Sequence, residues 1–196
     1  MRKQNLFNLT GEVRKIIGEL PIIVGSQAVF AVTDYPPEIA RLSVECDFLL
    51  IGKSFGFRDE VTNNLGIFSR YRAQSGFHAD GLGRTTVVLP ANWENRLVEL
   101  KDENEETVAL CVEIHDVAVS KLIAGREKDF EFLRAAFQSD YLQVEVFIER
   151  AETILKQPAA PVLILRLGKL SENLSRNPDL REITVKLNEF ERQIKQ

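Results

Sequence analysis

Two short stretches carry residue types suited to phosphate and metal chemistry. In Ser43-Val44-Glu45-Cys46-Asp47-Phe48 the β-forming residues mark a strand, along which successive side chains alternate faces. Ser43, Glu45 and Asp47 are then expected on one face and Val44, Cys46 and Phe48 on the other. Two carboxylates at this spacing stand about 7 Å apart at the backbone, so their oxygens can converge on one divalent cation and otherwise repel. The second stretch is Val24-Gly25-Ser26, which ends the apolar run Pro21-Ile22-Ile23-Val24 and opens a segment compatible with helix. Glycine there lets the backbone approach a ligand, and unpaired N–H groups at a helix start attract phosphate. Either motif alone also fits a solvated edge strand or an ordinary turn. Together they point to Glu45 and Asp47 as metal ligands, with Gly25 and Ser26 cradling a nucleotide phosphate.

A third cluster runs from Glu113 through His115-Asp116 to Phe132. If one helix crossed Gly125, then Lys121, Gly125 and Asp129 would fall at i, i+4 and i+8 on a single face. Lys121 would then offer a cation for phosphates, and Asp129 an orienting partner or an acid–base group. A solvent-facing salt-bridged helix has the same spacing.

Other chemistries lack their residues. Ser26 is in no G-x-S-x-G elbow, and His115-Asp116 are sequence neighbours rather than a spatial triad, so a serine hydrolase is not expected. No G-x-x-x-x-G-K-[ST] loop occurs, and Gly81-Leu82-Gly83-Arg84 lacks the spacing of a dinucleotide fingerprint. Two histidines and two cysteines are scattered without the paired spacings of structural zinc. A net charge of -4 supplies no global field for nucleic acid, so a polyanion must be held locally. Cys46 and Cys111 lie in apolar runs and are expected as free thiols. The first twenty residues contain no signal-peptide core and no window approaches 18 apolar residues, which predicts a cytoplasmic protein with no membrane partner.

The elements that must position these residues alternate in type. Val13, Ile16, Ile17 and Leu20 predict a helix over 9–20, stopped by Pro21. Strand, tight turn and helix follow over 21–32, then a loop at Tyr35-Pro36-Pro37-Glu38 and a strand over 42–51 ending in a turn at Gly52-Lys53. A helix is expected within 58–68, a strand over 85–89, and a hairpin from 96–101 and 107–114. Asp116 is expected to cap a helix ending at Gly125, with 126–137 a continuation or a restart. Gln157-Pro158-Ala159-Ala160-Pro161 predicts a boundary between a domain over 1–157 and an extension over 158–196. In that extension Leu163, Leu167, Leu170 and Leu174, then Leu180, Ile183, Leu187, Phe190 and Ile194, predict a helical hairpin broken at Asn177-Pro178.

The succession VGSQAVF, SVECDFLL and VEIHDVAVSKLIAGREKDFEFL resembles an uncharacterised bacterial family of nucleotidyltransferase-like proteins. These are relatives of the AbiEii-type toxins and of the polymerase-beta-like superfamily, and the resemblance covers about residues 20 to 140. It implies an α/β (α+β) nucleotidyltransferase fold, a mixed β-sheet flanked by helices, with the helical hairpin appended. It further implies Mg2+-dependent transfer of an NMP group from an NTP to an RNA or protein acceptor, as toxin-type chemistry with a cognate antitoxin. On that resemblance Gly25 and Ser26 contact phosphate, Glu45 and Asp47 bind the metal, and Lys121 and Asp129 serve transfer. Arg126 and Lys128 are accessory nucleotide-binding candidates, and Glu113 is the candidate third carboxylate. Arg70-Tyr71-Arg72 is the candidate contact to an RNA acceptor. The alternative is a nucleotidyltransferase fold kept as a binding module, its C-terminal helices pairing with a partner or a second copy as a homodimer.

Overall fold

The computed structural model describes residues 1–52 and 55–195, which divide into two compact units. One contains Met1–Val87 and Glu94–Glu113, the other Val88–Trp93 and the residues from Ile114 on.

The first unit opens with α1, Lys3–Ile17, six residues earlier than its spacing predicts. Leu6, Leu9, Thr10, Val13 and Ile17 form its buried stripe, and Gly18 ends it in the left-handed region at φ 76°. Five strands follow: β1 (Ile22–Val24), β2 (Glu45–Leu49), β3 (His78–Leu82), β4 (Val98–Lys101) and β5 (Thr107–Cys111). They form one mixed sheet in the order β3-β2-β1-β5-β4. β1 is antiparallel to β2 and parallel to β5, while β2 and β3 run parallel in a five-residue register from Glu45 opposite His78 to Leu49 opposite Leu82. The mixed α/β architecture expected from the sequence is present.

Between the strands lie a 3-10 helix at Ser26–Ala31 and the helices α2 (Glu38–Leu42), α3 (Phe55–Leu65) and α4 (Arg70–Ser75). α1 touches β3, β5 and α3, so it crosses the sheet. Gly81 shows which face is covered: a Cβ there would stand 3.4 Å from the Cα and the carbonyl oxygen of Arg58 on α3. Gly81 is in register with Phe48, so the helical face of the sheet is that of Cys46, Phe48 and Ala79, all fully buried. Glu45, Asp47, His78 and Asp80 consequently occupy the opposite face.

Several expectations are corrected. Val44 precedes β2 and is exposed instead of joining Cys46 and Phe48 in the core. Residues 85–89 form no strand, because Thr86 N–H bonds to the Gly83 carbonyl in a turn and Pro90 lacks a donor. β3 and α4 carry little sequence signal. His78-Ala79-Asp80-Gly81-Leu82 is poor in β-formers and becomes a strand because β2 offers it a free ladder. Gly52 of the expected turn has φ 69°, and Lys53 lies outside the described residues.

The second unit contains α5 (Ile114–Ala124), α6 (Glu127–Gln138), α7 (Val144–Glu152), α8 (Ala160–Ser175) and α9 (Arg181–Ile194). Leu163, Leu167, Leu170 and Leu174 are fully buried, and α8 packs on α9 as the expected hairpin. Asn177 Oδ1 accepts from the Asp179 N–H, with Pro178 in the first turn, as the sequence predicts. α8 also contacts α5 and α6. No helix among the described residues is long and apolar enough to cross a membrane.

Both cysteines are free and buried. Burial pushes the Cys46 thiol well up, helped by the charge of Asp47, and pushes Cys111 to about 12. A thiol held protonated is a poor nucleophile. Native protein at pH 8 should therefore give no rapid colour with Ellman's reagent, and both thiols should react after unfolding in guanidinium.

Candidate functional site

Pairing of β1 with β2 sets Val24 opposite Asp47, so Gly25 emerges beside the acidic strand. Its backbone, at φ 86° and ψ −159°, is in a region open essentially to glycine alone. A Cβ there would also collide with the Asp47 carboxylate, so the missing side chain is what seats Asp47 against the chain turn. The Ser26–Ala31 segment begins immediately afterwards. It is held by Ala28 N–H to Gly25 carbonyl at 3.2 Å and by the buried Gln27, whose Nε2 donates to the Ala40 carbonyl at 2.9 Å. Gly25 and Ser26 themselves stay partly exposed.

Strand parity places Glu45 and Asp47 on one partly exposed face, as expected from sequence. The parallel neighbour adds two groups unmarked by any short-range signal. His78 is in register with Glu45, and Asp80 with Asp47. Glu45, His78 and Asp80 each offer a ligand atom, all within 4.8 Å of one another. Asp47 sits one step along the ladder with its carboxylate toward Gly25. Glu113 lies two residues beyond β5, outside the ladder, whereas Asp80 stands on the strand next to Asp47, about 5 Å away. This donor set of carboxylates and one imidazole suits a divalent cation. Only the pairing of residues 33 apart in the sequence, Glu45 with His78 and Asp47 with Asp80, reveals it.

In the second unit Lys121 and Asp129 do meet, but not along one helix. α5 stops at Ala124, Gly125 turns at φ 60°, and α6 starts at Glu127. A Cβ on Gly125 would strike the guanidinium of Arg166 on α8, which donates to the Gly125 carbonyl at 3.1 Å. Across this turn Lys121 Nζ reaches Asp129 Oδ1 at 3.1 Å and lies 4.7 Å from the Phe132 ring centroid. Lys121 is 9% exposed and Asp129 0%. Arg126 Nε donates to Asp129 Oδ2 at 2.7 Å, and the Arg126 N–H to the same oxygen at 3.2 Å. Burial pushes the Asp129 carboxyl up, but the Arg126 hydrogen bonds and the Lys121 charge outweigh it and hold it below the usual carboxylate range. Lys128 points to solvent.

The rest of that segment is also engaged. His115 Nε2 accepts from the Gln143 N–H at 3.0 Å at the start of α7. Asp116, fully buried, faces Arg150 of α7 at 3.7 Å. Of the candidate acceptor contacts, Arg72 folds back onto the Gly76 carbonyl that follows α4, leaving Arg70 exposed.

Residues 4–157 match the family described as "Nucleotidyltransferase of unknown function (DUF6036)". No curated protein and no solved structure matches the chain.

Gly25→Ala should cost about 1–3 kcal/mol from backbone strain alone, read as a lower urea midpoint. Removing one partner of a buried ion pair costs about 3–5 kcal/mol, so Asp129→Asn should lose stability of that order at pH 7. Because the folded Asp129 carboxyl titrates below its unfolded value, its stabilisation is complete above the ordinary carboxylate range. The wild-type advantage over Asp129→Asn should therefore shrink as pH falls through the acidic range, a trend that urea melts at stepped pH would measure.

Proposed function

The chain belongs to this nucleotidyltransferase family, and on that premise we propose that it transfers an NMP group from an NTP to an acceptor hydroxyl on RNA or protein, using Mg2+ held on the acidic face of its sheet. The observation that carries this reading is the β1–β2–β3 ladder, which gathers Glu45, Asp47 and Asp80 on one face beside the side-chain-free turn at Gly25.

Three carboxylates at this spacing repel one another in the absence of a counter-charge, and that repulsion is relieved when a cation binds. Mg2+ supplies charge neutralisation and orients the triphosphate when bound. Glu45, Asp47 and Asp80 would hold it, with Asp80 taking the third position for which Glu113 is the sequence candidate. Gly25 leaves room for phosphate oxygens to approach the main chain, and Ser26 adds a hydroxyl at the same edge. The acceptor hydroxyl must lose its proton as its oxygen bonds to the α-phosphorus and the bond from that phosphorus to the leaving pyrophosphate breaks, and a carboxylate of this cluster is the group able to take the proton.

Lys121 and Asp129 enter as a positioning pair. Each is satisfied by the other, by Arg126 or by the Phe132 ring, and together they clamp the α5–α6 turn. Lys128 and the outer part of Arg126 face solvent in the same segment.

Isothermal titration of the protein with each NTP and MgCl2, followed by radiolabel transfer from α-labelled NTP to cellular RNA and protein fractions, tests the reading. Asp47→Asn and Asp80→Asn should each reduce transfer by at least about 100-fold, the scale of losing one charged transition-state contact. Glu113→Gln should leave it within a few-fold. An intact transfer rate in the Asp80→Asn variant would overturn the assignment, and absence of NTP binding by the wild type would overturn the function.

A further inference from the structure

His78 is the one member of the cluster whose chemistry is not that of a carboxylate. It opens β3 opposite Glu45, and its N–H donates to the Val44 carbonyl at 3.0 Å, so the ladder fixes where the imidazole stands. The residue is 5% exposed, and its Nδ1 has no hydrogen-bond partner among the described residues. A buried ring nitrogen left unsatisfied is costly, and native structures retain such a group where something else completes it. Here one imidazole nitrogen lies within 4.8 Å of carboxylate oxygens from both Glu45 and Asp80. Two carboxylate oxygens and an imidazole nitrogen this close together are a donor set that a divalent cation can take, with three protein ligands and open positions beyond them.

We propose that Glu45, His78 and Asp80 form a mixed nitrogen–oxygen cation site, which selects a first-row transition metal of the Mn2+, Co2+ or Zn2+ class over Mg2+. The inference rests on the assignment of the acidic face to a metal, and it makes the Mg2+ of that reading the weaker-binding occupant of carboxylates that a transition metal shares with His78. Carboxylates alone suit Mg2+, a hard cation that keeps its waters and takes oxygen ligands. An imidazole in the donor set favours the borderline metals, whose affinity for nitrogen rises along the row from Mn2+ toward Cu2+. Carboxylates by themselves also bind transition metals somewhat more tightly than Mg2+, so the preference that matters is the part that depends on His78.

The test is titration of the metal-free full-length protein with CoCl2, ZnCl2 and MgCl2 by calorimetry, for the wild type and His78→Gln. Pulsed EPR of the wild type loaded with Mn2+ reads the ligand directly. The expected result is that His78→Gln lowers Co2+ and Zn2+ affinity at least about tenfold while Mg2+ affinity changes less than about twofold. The wild-type Mn2+ spectrum should show coupling to a directly bound 14N. If His78→Gln fails to fold, the wild-type spectrum decides alone. A Co2+-to-Mg2+ ratio unchanged in the variant, or no nitrogen coupling, overturns the inference. Mg2+-dependent NTP binding that persists alongside such a result leaves the transferase reading standing. His78-dependent metal binding without NTP binding removes that reading and leaves the metal site.

Discussion

β2 carries the constraint to which the rest of the first unit answers: it buries Cys46 and Phe48 on one face while holding Glu45 and Asp47 on the other. Two carboxylates about 7 Å apart repel by roughly 0.6 kcal/mol in water and by about 2.4 kcal/mol at an effective dielectric near 20. Burying a phenylalanine returns about 1.5–3 kcal/mol, so the apolar face can carry the acidic one without help from a ligand. The strand is thereby held by its apolar face, while its outer face carries two like charges. A sheet that adds Asp80 alongside makes that face more acidic still.

The second unit uses charge in the opposite way. Lys121–Asp129 and Asp116–Arg150 are neutralised pairs inside a helical bundle, and His115 accepts a backbone N–H at the start of α7. Each polar group finds a partner on a different helix or across a turn, so these contacts specify which helix ends meet. That explains why a long segment of mixed charge, glycine and aromatics occurs between the hairpin strands and the C-terminal helices. At Gly125 any other residue would be strained at φ 60° and would have to displace the Arg166 side chain.

Much of the fold was legible wherever one element decides its own periodicity. The stripe of α1, the β4–β5 hairpin and the leucines of α8 each bury residues at the spacing that their own sequence displays. Legibility ended where a neighbour decides. His78–Leu82 has no alternation to betray a strand, and the Val87-Val88 pair has β-branched residues but no ladder to join. The spacing of Lys121 and Asp129 puts them on one face only if the helix is continuous, whereas their contact is made across a break, because a left-handed glycine folds α6 back toward α5.

The amino-acid sequence alone determined the parity of Glu45 and Asp47 and the glycine at the end of β1, since alternation and backbone freedom are local properties of a chain. The tertiary structure decided which other groups join them. Asp80 and His78 reach the acidic face only through the parallel pairing of β2 with β3, a long-range contact whose hydrogen bonds run between main chains and so leave no mark on the side chains themselves.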